Sequence, residues 1–314
     1  MRRRDPAELF GAARAGDRAA IARLLSLIEE GGEPARVVGR LAFPLGGSAY
    51  TTGITGAPGA GKSTLTSQLI AMMRGESLDV AVLAIDPTSP FSGGAILGDR
   101  VRMQDHATDP SVFIRSMATR GHLGGLALAV PEAIRLLDAL GRGWILVETV
   151  GVGQVEVEVA GAADTTVVVV NPGWGDGVQT SKAGLLEIAD VFVINKADRK
   201  GVEETRRDLE LMLDLSELGE WRPPIVPTVA TDGVGIDAMW DAIRAHRAFS
   251  EASGLLAALR AERLRAELRE IVARRLEQKA RAMGDDAKWS ELEAAVQERA
   301  LDPWTAADRM LAGL

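Results

Sequence analysis

Apolar residues in this chain change texture along its length. Between residues 46 and 249, short β-branched runs stop abruptly at polar or glycine positions. They are YTTGIT from Tyr50, VAVLAID up to Asp86, WILVET ending just after Glu148, TTVVVVN up to Asn171, VFVINKAD up to Asp198 and PIVPTVA up to Ala230. Near-continuous apolar runs of this length predict strands buried on both faces. Helical spacing between them predicts helices near 62–74, 124–140, 181–189, 202–215 and 235–248. Strands alternating with helices predict an α/β fold, a mostly parallel sheet covered by helices. In such sheets ligands bind beyond the C-terminal strand ends, and the polar signatures of this chain fall there.

The flanks read differently. Residues 1–45 are rich in Ala, Leu and Arg, with Leu24, Leu25 and Ile28 at helical spacing, and predict short helices. Residues 250–314 predict long amphipathic helix, with Leu255, Leu259, Leu264, Leu268, Ile271 and Leu276 in one stripe among Arg and Glu. That stripe fits a helix folded back on its own domain or an arm that pairs with a second subunit.

Charge and composition narrow the partners. A net charge of −8 argues against nucleic acid, whose binders present a basic surface. The chain has no cysteine, which excludes disulfides and thiolate metal sites and fits a reducing cytosol. The N-terminal MRRRDPAELF has no apolar run behind its arginines, and Asp5 and Glu8 count against an acid-poor transit peptide. No stretch approaches the roughly 18 apolar residues that span a bilayer. The expectation is a cytoplasmic protein that binds neither nucleic acid nor membrane.

Gly56-Ala57-Pro58-Gly59-Ala60-Gly61-Lys62-Ser63, followed by Thr64, fits the phosphate-binding pattern G-x-x-x-x-G-K-[ST]. It follows a predicted strand and opens a predicted helix, the context that the pattern requires. The loop amides and the helix N-terminus would face phosphate oxygens. Lys62 would bridge the β and γ phosphates, and the Ser63 hydroxyl would coordinate Mg²⁺. A nucleoside triphosphate is the expected ligand.

Asn195-Lys196-Ala197-Asp198 points to the base. A carboxylate at Asp198 accepts from the ring N–H and 2-amino group of guanine, whereas adenine would leave it unpaired. Lys196 would lie along the purine and Asn195 would hold the loops together. Val229-Ala230-Thr231 stands where a final guanine loop belongs, with the Ala230 amide expected to face the base oxygen. GTP and GDP are therefore the expected nucleotides.

Asp86, Asp99 and Glu148 are the candidate acids around Mg²⁺, which favours one or two carboxylates with water and phosphate oxygens. Gly151 would give its amide to the γ-phosphate. In fast-switching GTPases a Gln beside that glycine positions the attacking water. Here the next residue is Val152, and Gln154 comes two positions later. Slow intrinsic hydrolysis is the expectation, and Lys62, Glu148 and Gly151 are the candidate catalytic residues. Arg100, Arg115 and Arg120 lie in or near these segments, where an arginine either neutralises transition-state charge or forms a surface ion pair.

Taken together, GAPGAGKST, DPTSPFSGGAILGDRVRM, FIRSMATRGHLGGL, ETVGVGQ, NPGWGDGVQTSKAG and NKAD closely resemble the MeaB/MMAA (ArgK-type) P-loop GTPases. The resemblance covers nearly the whole chain. It implies a homodimer with N-terminal helices, a GTPase domain and a C-terminal dimerisation arm, bounded near 1–45, 46–249 and 250–314. It further implies a chaperone that uses GTP to gate adenosylcobalamin delivery to methylmalonyl-CoA mutase, or a related acyl-CoA mutase, and to protect it. The loop Gly173–Lys182 resembles the family's additional switch, and Arg102, Glu148 and Lys182 would relay charge between switches. A nickel- or cobalt-inserting GTPase would need Cys and His clusters, but only His106, His122 and His246 occur, widely spaced. A transport-associated kinase would need an acceptor site, and no motif suggests one.

Overall fold

The computed structural model describes residues 5–86, 106, 108–118, 125–149, 161–173, 187–216, 219–283 and 287–311. They form two compact units, Met1–Ala257 and Ala258–Leu314.

The first unit opens with three helices, α1 (Pro6–Arg14), α2 (Arg18–Glu30) and α3 (Gly32–Ala42). Asp5 and Asp17 cap the first two, each side chain accepting from amides of the first turn. A seven-stranded sheet follows: β1 (Tyr50–Gly56), β2 (Val80–Asp86), β3 (Val112–Ala118), β4 (Trp144–Thr149), β5 (Thr165–Val170), β6 (Val191–Asn195) and β7 (Ile225–Thr228). All the pairings are parallel, in the order β3-β2-β4-β1-β5-β6-β7. The other helices are α4 (Lys62–Gly75), α5 (Gly125–Ala139), α6 (Val202–Leu215) and α7 (Ile236–Ala252). The expected α/β architecture is the one observed.

Period-2 alternation divides the strand residues between the two faces. Ala81, Leu83 and Ile85 of β2 pack with α2 and α5, while Val80 and Val82 face the opposite cluster under α4 and α7. Val168 and Val170 of β5 pack with α6. The N-terminal helices are thus part of the sheet's core: Leu24, Leu25 and Val38 are fully buried.

Two sequence expectations change. β3 was not among the predicted strands, because Arg115 and Ser116 interrupt its apolar run. As an edge strand it tolerates them: the Arg115 guanidinium donates to Glu29 Oε2 at 2.8 Å and to Ser26 Oγ at 3.0 Å on α2. Arg115 is therefore an internal tie. The last strand ends at Thr228, where Ala230–Asp232 turns into a 3₁₀ helix. Of the expected helix at 181–189, residues 181–186 lie outside the described residues.

The second unit contains most of α8 (Leu255–Met283), then α9 (Ala287–Gln297) and α10 (Pro303–Leu311). Asp302 caps α10, accepting from the amides of Trp304 and Thr305. Among the described residues no helix is long and apolar enough to cross a membrane.

At the N-terminal strand ends, Thr165 Oγ1 meets Tyr50 Oη at 2.7 Å and His246 Nδ1 at 2.8 Å. Asp190 Oδ1 lies 3.3 Å from His246 Nε2. Burial pushes the His246 imidazole down from 6.5 to about 4, against the opposing pull of Asp164. The fold therefore favours neutral His246, a stabilisation present in full above pH 6.5 and lost as pH falls toward 4, on the order of 3 kcal/mol in all. In urea titrations between pH 7 and pH 4, His246→Gln should lose less stability on acidification than the parent protein.

Candidate nucleotide site

The candidate residues converge at the C-terminal ends of β1, β4 and β6. β1 runs into the glycine-rich loop, and α4 begins at Lys62. Gly56 has φ +131°, and a Cβ there would lie 2.0 Å from the Val169 carbonyl oxygen on β5. Gly61 has φ +93°, and its Cβ would lie 2.3 Å from Asn195 Nδ2. Both positions require glycine, for torsion and for space.

Lys62 is buried, and its ammonium donates to the carbonyls of Gly56 at 2.7 Å and Ala57 at 3.1 Å. Beside it, the buried Ser63 hydroxyl donates to Glu148 Oε1 at 2.6 Å. Glu148 stands next to last on β4, 1% exposed. Thr149 Oγ1 then donates to Thr55 Oγ1 at 3.0 Å, joining β4 to β1 below the loop. A hydroxyl and a carboxylate side by side are hard oxygen donors, the chemistry that suits Mg²⁺.

The loop of residues 195–198 is fastened to the same cradle. Asn195 Nδ2 donates to the Ala60 carbonyl at 2.8 Å, while its Oδ1 accepts from Thr228 Oγ1 and the Ala230 amide, each at 3.2 Å. Asn195 thus ties the phosphate loop to the segment after the last strand. The Ala230 amide is engaged inside the protein, which differs from the expectation that it faces a base oxygen. Lys196 takes φ +59°, and its ammonium reaches the Gly59 carbonyl at 2.7 Å. Asp198 and Thr231 are exposed, Val229 is half-buried, and Pro58 and Thr64 lie on the outer side of the loop and the first turn of α4.

The structure therefore brings Gly56–Thr64, Glu148, Asn195–Asp198 and Val229–Thr231 to one end of the sheet. Asp86 closes β2 at that end, and its side chain lies outside the described residues. Asp99, Arg100, Arg102, Arg120, His122, Gly151 and the loop from residue 174 to Lys182 also lie outside them. Sequence reasoning missed Thr55, Thr149 and Thr228, whose hydroxyls matter only through neighbours distant in the chain. His106 is held on α4, its Nε2 lying 2.9 Å from the Ser67 carbonyl.

A sequence model of the MeaB family, described as Methylmalonyl Co-A mutase-associated GTPase MeaB, matches residues 21–285. The chain belongs to the MeaB family. As a MeaB-family protein it is a GTPase. A protein of Pyrococcus abyssi is 54% identical over 309 residues, covering 97% of this chain and 95% of that one. GTPase ArgK of Escherichia coli is 38% identical over 263 residues, 81% of this chain and 80% of that one. The methylmalonic aciduria type A homolog, mitochondrial, of Mus musculus is 40% identical over 218 residues, 67% of this chain and 52% of that one. A crystal structure described as LAO/AO transport system kinase matches with TM-score 0.74 at 28% identity, over 99% of this chain and 98% of that one.

Because the Glu148 carboxylate meets the Ser63 hydroxyl, Glu148→Gln should cut single-turnover GTP hydrolysis by about 100-fold or more. GTP binding, measured by calorimetry, should change by less than about tenfold, since the loop amides are left intact.

Proposed function

We propose that this MeaB-family GTPase is a chaperone that converts GTP to GDP and phosphate to gate adenosylcobalamin delivery to, and protect, an acyl-CoA mutase, with methylmalonyl-CoA mutase the first candidate. The observation that carries this reading is the buried Ser63–Glu148 contact at 2.6 Å, at the base of the segment where Val152 replaces the water-positioning Gln. A complete cradle with an incomplete trigger fits hydrolysis that a partner completes. The family's description supports the mutase as that partner.

In this reading Gly56–Thr64 bind the phosphates, and Lys62 leaves its loop carbonyls for the β and γ oxygens. Ser63 and Glu148 would hold Mg²⁺, with Asp86 and Asp99 as further ligands. Once bound, the ion would neutralise charge on the phosphates. Gly151 would sense the γ-phosphate. Lys196 and Asn195 position the base loop, and Asp198 selects guanine beside Val229–Thr231. The protein acts in the cytoplasm as a homodimer, and the pairing is supported by the exposed Leu259, Leu264, Leu268, Val272 and Leu276 along α8.

Two measurements test these assignments. Phosphate release should be slow for the protein alone and rise clearly when an adenosylcobalamin-dependent methylmalonyl-CoA mutase from the same organism is added. Unchanged release with that mutase, and with isobutyryl- and hydroxyisobutyryl-type mutases, would overturn the client while leaving the GTPase. For the base, Asp198→Ala should weaken GTP binding by about 100-fold without changing the weak binding of ATP.

A further inference from the structure

Two asparagines stand side by side at the ligand end of the sheet. Val170 of β5 pairs with Ile194 of β6, so Asn171 and Asn195 occupy equivalent positions one residue further on. Strand alternation puts both in line with the face of Val169 and Val193, the face that also carries α4. Asn195 is engaged at both its oxygen and its nitrogen by protein groups: Ala60, Thr228 and Ala230. Asn171 is not. Among the described residues its Oδ1 is buried and accepts no hydrogen bond.

The backbone around Asn171 is held firmly. On one side β5 pairs with β1 up to Gly56, the first residue of the phosphate loop. On the other, the Gly173 amide donates to Thr205 Oγ1 at 3.1 Å, and Thr205 is 2% exposed. The base loop closes in as well: a Cβ at Gly201 would lie 3.7 Å from the Gly173 nitrogen. A buried acceptor without a donor costs stability, and native folds rarely keep one without use.

We infer that Asn171 is a positioning residue linked to nucleotide occupancy: its buried Oδ1 takes up a hydrogen bond that forms only when the neighbouring phosphate cradle holds a guanine nucleotide. The donor is a loop amide or water fixed by the phosphates, since ionised phosphate oxygens offer no proton. The inference rests on the cradle being the nucleotide site and is independent of the mutase.

The decisive experiment compares Asn171→Leu, close in size but without an acceptor, with the parent protein. GDP and a non-hydrolysable GTP analogue are titrated by calorimetry, and thermal unfolding is followed without nucleotide. Affinity for both nucleotides should fall about tenfold, while Tm without nucleotide stays level or rises. Asn171→Ala should lose affinity to a similar degree. Unchanged affinity in the Leu variant overturns the inference. A lower nucleotide-free Tm also overturns it, because the amide would then serve the unbound fold. Normal affinity in the Ala variant assigns the Leu effect to side-chain bulk and is equally fatal.

Discussion

The Asn195 side chain keeps the two ends of the nucleotide site in register. A primary amide carries donors and an acceptor on one rigid plane, so this single group reaches the Ala60 carbonyl of the phosphate loop, the Thr228 hydroxyl and the Ala230 amide. The contact also dictates its opposite number. Gly61 must be glycine, because a methyl group there would occupy the place of Asn195 Nδ2. Lys196 adds a second tie through the Gly59 carbonyl. With Gly59 and Ala60 held from outside, the loop conformation does not depend on its own short sequence alone.

The same end of the sheet concentrates buried polar chemistry. Lys62, Ser63 and Glu148 are each buried yet hydrogen-bonded, and where water is scarce such contacts are stronger than at the surface. A buried carboxylate touching a hydroxyl, on a strand next to the phosphate loop, sets hard oxygen donors side by side. The opposite end of the sheet is built differently. There Tyr50 and Trp144 pack at a tilt and Trp144 and Trp240 edge to face, with ring centroids 5.0 and 4.7 Å apart, and Thr165, His246 and Asp190 join the strand starts. Aromatic packing at one end supplies rigidity against which the loops at the other end are set.

The N-terminal helices belong to this scaffold. α2 packs on β3 and α5, burying Leu24 and Leu25, and Glu29 meets Arg115 across the gap. Both partners of that ion pair are largely shielded, with 19% and 9% of their side chains exposed, so losing one would strand the other in a poorly solvated place. An arginine near the switch segments is consequently committed to packing.

Strand and helix alternation, the phosphate loop and the NKAD tetrad were all legible in the sequence, because each is a local pattern: apolar periodicity, glycines at fixed spacing, or consecutive polar residues after a strand. The placement of Glu148 beside the cradle was also anticipated, since parallel strands of one sheet end together. β3 was not legible, because its Arg115 is paired with Glu29, 86 residues away. Nor could local pattern reveal that the Ala230 amide is spent on Asn195, or that Asn171 and Asn195 differ in their partners despite matching register. Local pattern was enough to say which polar residue types stand at the strand ends. Which of those polar groups already have partners emerges only in the folded chain, because hydrogen bonds between strand ends join residues that no local spacing connects.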